Sequence, residues 1–179
     1  MLAAVTSLTA AAPASAKIVP ETAAVALFDE ACLKPGNEAA IRARLAGDSA
    51  WSKSGIDPAL IIGGRRDGKT YDAWSRRVDG KEVKLVLGKP VKRPSELICV
   101  LLVPDVQNML PHLDAFRDAT KAAGLKGFNI DIPHLYRTKG RLASGLKAQS
   151  DLYSRSPFLP GQRAMHMVLY FSDKGAPPQ

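Results

Sequence analysis

Apolar positions recur along this chain at two different spacings. Over 20–33, Val25, Phe28 and Cys32 fall at helical intervals behind Pro20, which suits a first turn, and Glu21, which complements the N-terminal dipole. This spacing predicts a helix with Cys32 turned inward. After a Pro35-Gly36 turn, Asn37 is a good N-cap for a second helix over 38–45, with Ile41 and Leu45 on one face and Gly47 as its stop. Residues 48–59, with Trp51 among Ser, Gly and Pro, read as a connection, and Leu60-Ile61-Ile62 as a short strand.

From residue 70 the period shifts to two. Asp79-Gly80 sits between two alternating segments over 70–87 and is a strong hairpin signal. With 79 and 80 as the loop, Arg77 faces Glu82 and Trp74 faces Leu85. The run ELICVLLV at 96–103 is apolar on both faces, as expected of a central strand, and carries Cys99 in its middle. A helical region over 104–123 follows, with Leu113, Phe116 and Ala119 inward, Pro111 as a kink or restart, and Gly124 as its stop. Residues 127–132 alternate again, and 164–171 close the domain as a strand. Between them, 134–163 shows only a faint helical pattern and reads as a long functional or mobile loop. The expected fold is therefore α+β: a mostly antiparallel sheet of four to five strands with helices on one face. It forms a single domain over 17–173 with a frayed tail at 174–179.

Termini and cysteines add a compartment to this picture. Residues 1–16 are uncharged, rich in Ala, and end in the small-x-small pattern Ala14-Ser15-Ala16, as a signal peptide does. No Lys or Arg stands near Met1, so either the start lies upstream or the segment is an Ala-rich tail. No cysteine marks a lipid anchor, and no apolar run in the body of the chain approaches the roughly 18 residues of a membrane-spanning helix. The two cysteines, Cys32 and Cys99, are either a bridge pinning the first helix to the central strand or two buried free thiols; a periplasmic or secreted setting favours the bridge. The order of a helix cysteine, a Trp-bearing hairpin and a strand cysteine resembles small exported bacterial proteins of unknown function. That likeness spans much of the chain, covers no catalytic motif, and implies no activity.

Residues 63–70, GGRRDGKT, satisfy G-x-x-x-x-G-K-[ST], in which Gly63 and Gly68 free backbone N–H groups for phosphate, Lys69 reaches its oxygens and Thr70 holds magnesium. The strand at 97–103 followed by Pro104-Asp105 resembles the second, acid-bearing element of P-loop NTPases. Such a loop must run directly into a helix whose N-terminus binds phosphate. The hairpin pattern after Thr70 argues against one, and the spelling reads as coincidental. Ser144-Gly145-Leu146-Lys147 spells S-x-x-K without its partner motifs, and no G-x-S-x-G occurs. His112, His134 and His166 lack helical ligand spacing, and Met165, Met167, Leu169 and Phe171 read as one core face of a strand with His166 opposite. No metal or cofactor is assigned.

The net charge of +8 survives loss of residues 1–16 and predicts attraction to anionic surfaces. Six cations against Asp151 put +5 of it between 136 and 163, interleaved with Tyr136, Tyr153 and Phe158. Arginine forks suit carboxylate or phosphate, and export disfavours nucleic acid. The expectation is an exported non-catalytic module whose Arg65, Arg66, Arg137, Arg141 and Arg155 meet an acidic protein, envelope polymer or other anionic surface. The alternative is an enzyme binding nucleotide phosphate through Gly63, Gly68, Lys69, Thr70 and Asp105.

Overall fold

The computed structural model describes residues 23–55, 71–78, 80–89, 96–106, 108–129, 135–154 and 164–172. Helix α1 (Ala23–Phe28) runs into a single π-helical turn (Asp29–Leu33), closed by Lys34 N–H donating to the Asp29 carbonyl at 2.8 Å. Val25, Phe28 and Cys32 are buried as their spacing requires. Gly36, at φ 64°, makes the turn into α2 (Glu38–Gly47), where the Asn37 side chain accepts from Ala40 N–H at 2.9 Å. Gly47 is the last helical residue and Asp48 the cap, two residues beyond the expected end.

The sheet has eight strands rather than four to five: β1 (Ser52–Lys53), β2 (Tyr71–Val78), β3 (Lys81–Gly88), β4 (Glu96–Pro104), β5 (Leu125–Asn129), β6 (Leu135–Arg141), β7 (Lys147–Tyr153) and β8 (Ala164–Ser172). All neighbours are antiparallel in the order β1-β2-β3-β4-β8-β7-β6-β5. Two four-stranded meanders thus meet back to back at β4 and β8. The hairpin forms in the expected register, with Trp74 opposite Leu85 and Arg77 opposite Glu82. Much of the stretch expected to be a long loop is the β6–β7 hairpin. Its two strands carry Lys, Gly and Asp, residues depleted from strands, beside polar Gln and Ser, so no apolar alternation announces them. The expected strand at 60–62 lies outside the described residues.

Helix α3 (Leu110–Ala122) carries the chain from the central strand β4 to the far edge at β5. It begins at Leu110, with Pro111 inside its first turn rather than kinking a helix begun at 104, because proline lacks only an N–H that this turn leaves unbonded. Pro104 itself ends β4. The strand expected over 127–132 begins earlier, at Leu125, and is described as far as Asn129.

Helices cover one face of the sheet. Phe28 and Phe116 stack at 6.1 Å, Phe116 meets Tyr136 edge-on at 6.1 Å, and Met165, Met167, Leu169 and Phe171 complete this core. The Cys32–Cys99 disulfide ties the π-helical turn to the middle of β4. Charge pins α2 and β1 to β2: Arg42 on α2 bonds Asp72, Arg76 Nη1 bonds Asp48 at the end of α2 at 3.0 Å, and Lys53 Nζ on β1 reaches Asp72 at 2.8 Å. Those bonds, Lys53 first and Arg42 next, hold the Asp72 carboxyl below its ordinary value. The far face divides in two. Its β2–β3–β4–β8 half buries Ala73, Val86, Val100 and Val168, with Arg77, Glu82 and Lys84 toward the β2–β3 turn, and its β5–β6–β7 half carries five cations and Asp151.

Candidate functional site

Strands β5, β6 and β7 hold six charged residues, and the register places all six on the far face. Directly opposed residues of an antiparallel pair share a face. Lys126 lies opposite Lys139, Arg137 opposite Asp151, and Arg141 opposite Lys147. The alternate residues Tyr136 and Thr138 turn toward the helices, Tyr136 against Phe116 and Thr138 into full burial. Two of the three pairs set like charges across from each other. Each such pair costs a few tenths of a kcal/mol.

The acid among the six is already engaged. Asp151 is only 1% exposed. It accepts Arg137 Nε at 2.8 Å and Nη2 at 3.0 Å, a bidentate pair. Gln149 Nε2 donates to both of its oxygens at 3.2 and 3.1 Å, and the Tyr153 hydroxyl donates at 3.1 Å. Asp151 in turn holds the Arg137 guanidinium above its ordinary value, chiefly by this hydrogen bond. Lys126 and Arg141 are exposed and Lys139 and Lys147 half-buried, which leaves the surface cationic.

Behind this patch the far face carries Tyr153, Tyr170 and His166. Burial pushes both phenols up, and the neighbouring Asp151 adds to the shift in each. Desolvation pushes the fully buried His166 down to about 4, so it is neutral at physiological pH. Gln149 Oε1 accepts no hydrogen bond among the described residues. Among those residues no three His, Cys, Asp or Glu side chains converge as a metal would need. What this arrangement can do is hold a negative charge against a preorganised cationic sheet.

No family model, curated protein or solved structure matches this chain.

Of the residues singled out in the sequence, Arg137 and Arg141 come together on β6. Arg137 is committed to Asp151, and exposed Arg141 donates Nη1 to the Gly145 carbonyl at 2.8 Å. Arg65, Arg66, Arg155, Gly63, Gly68, Lys69, Thr70 and His134 lie outside the described residues. Residues 71–78 are strand β2, so no helix begins at Thr70 to present an N-terminus to a phosphate on 63–70. Asp105, at φ 54°, gives its carbonyl to Lys81 Nζ at 2.9 Å. Ser144 Oγ bonds the Gly36 carbonyl at 3.0 Å, tying the β6–β7 turn to the helical layer, and Lys147 opens β7. His112 is buried on α3, far in sequence and fold from His166 on β8.

Lys126, Gln149 and Tyr170 went unnoticed in the sequence as members of one surface. A signal did exist: Arg137, Lys139 and Arg141 alternate at period two, which is charge patterned as a strand.

Proposed function

We propose that this chain is an exported, non-catalytic α+β module that binds an anionic partner through the far face of β5, β6 and β7. One observation carries the reading: every charged side chain of these three strands lies on one face, and the acid among them is engaged by Arg137. Opposed like charges weaken a sheet, and an anionic ligand bound between them relieves that repulsion. Export is supported by the Cys32–Cys99 bridge, which persists in oxidising compartments, and by the leader-like residues 1–16.

Inorganic polyphosphate is a suitable probe, because it carries charge without peptide groups. Calorimetry on a variant with Lys126, Lys139, Arg141 and Lys147 all changed to Gln is compared with one carrying the same change at Lys34, Arg44, Lys53 and Lys81. The first set loses binding and flattens its salt dependence, while the second keeps most of it. Equal loss in both variants means net charge alone drives binding, and the proposed face is wrong.

A further inference from the structure

Among the described residues β5 is the terminal strand of the sheet, and Lys126 and Gly127 on it are exposed. A terminal strand turns the N–H and C=O groups of every second residue away from its neighbour. Alongside runs α3, whose Asp114, Arg117, Asp118 and Lys121 recur at helical spacing and are all exposed. Between this stripe and β5 lies an open cleft of about 590 Å³, lined also by Leu125, Gly127 and Tyr136.

The base of the cleft is built rather than incidental. Tyr136 packs its ring on the buried Phe116, with the Arg117 guanidinium 6.0 Å from its centroid. Its hydroxyl reaches across Gly127, where an added Cβ would lie 2.0 Å from that oxygen. A side chain at 127 and this placement of Tyr136 exclude each other. The glycine therefore makes room for the Tyr136 hydroxyl on the helix side of β5.

We infer that the anionic partner is an extended acidic polypeptide segment that adds to β5 as a ninth strand. This rests on the anion-binding reading above and names its partner. A strand lying about 4.8 Å beyond β5 directs alternate side chains to opposite faces. One row enters the cleft, whose helix wall is neutral, with Arg117 and Lys121 against Asp114 and Asp118 and Arg117 paired with Asp114 at 3.5 Å. The other row lies beside Lys126 and Lys139 on the far face. Main-chain bonds to β5 supply affinity, and the far-face cations Lys126 and Lys139 select acidic residues on the row beside them. A second copy of this chain is the poorer occupant: it carries the same +8 and would set Lys126 against its like.

The test uses a fluorescently labelled alternating Glu-Val peptide, the same peptide N-methylated at alternate residues, and polyphosphate, each titrated into the intact chain by anisotropy or calorimetry. The expected result is binding of the unmodified peptide, roughly tenfold weaker binding once two or so main-chain bonds are lost to N-methylation, and new hydrogen-exchange protection confined to the 125–129 amides. Equal binding of both peptides with β5 amides unprotected overturns strand addition, and polyphosphate binding then shows the cationic-face reading still standing. Failure of peptide and polyphosphate alike removes both readings. Protection of 125–129 that rises with the chain's own concentration and is indifferent to peptide identifies a second copy as the occupant and overturns the proposal.

Discussion

Reducing the Cys32–Cys99 bridge is the perturbation whose size follows most directly from the fold. The bridge joins residues 67 apart, one in the turn after α1 and one in the centre of β4. Closing a loop of that length removes chain entropy from the unfolded state worth about 4 kcal/mol. Both cysteines are fully buried, so substituting alanine would add a packing loss, whereas reduction leaves both sulfur atoms in the core and isolates the loop effect. Urea unfolding with and without a phosphine reductant, followed by Trp fluorescence, reads the difference. At a typical slope of about 2 kcal/mol per molar urea, the reduced midpoint falls by about 2 M. Because the reduced unfolded chain is more expanded, the free energies and not the midpoints alone should be compared. A loss below about 1 kcal/mol would refute the reasoning, and would place the bridge's contribution in residual structure of the reduced unfolded chain rather than in loop closure.

Two further predictions concern the far face. His166 sits at about 4 in the folded chain against an ordinary 6.5. Its contribution is therefore complete above about pH 6.5, falls as pH drops toward 4 because only the unfolded chain takes up the proton, and levels off below; the whole fall amounts to about 3 kcal/mol. Unfolding curves for wild type and His166→Gln should converge as pH falls through that window, and parallel curves would sink the claim. Asp72, whose carboxyl is held low, loses its own contribution at lower pH in both proteins and cancels from the comparison. Asp151→Ala strands the Arg137 guanidinium and removes the acceptor of Gln149 and Tyr153, at a cost of about 3 kcal/mol. In thermal unfolding that is roughly 6–12 °C for a domain of this size, and adding Arg137→Ala should restore part of it; a single variant that melts with wild type would show that the pair stabilises nothing.

Much of the fold was legible where burial and period agree. The Asp79-Gly80 hairpin, the doubly buried run at 96–103 and the Met165–Phe171 alternation were readable because one face of each strand must leave water. β6 and β7 escaped notice because their partners supply what their own residues lack. Asp151 tolerates burial because Arg137 across the strand pair and Gln149 and Tyr153 along β7 all donate to it. The candidate face was half visible, as a basic stretch whose alternation at 137, 139 and 141 went unread; Lys126, remote in sequence, joined it through pairing alone.

By itself, then, the sequence determined the α+β class, the helix cap at Asn37, the hairpin register, the inward facing of Cys32 and the excess of positive charge. Each of these depends on local geometry or on a count, and neither requires knowing what lies across the chain. Tertiary structure decided that the sheet has eight strands, that Cys32 meets Cys99, and that five cations share one face with a buried, ion-paired acid. Those outcomes depend on pairing between distant segments, where a polar strand is stabilised by its neighbours' hydrogen bonds rather than by any pattern of its own.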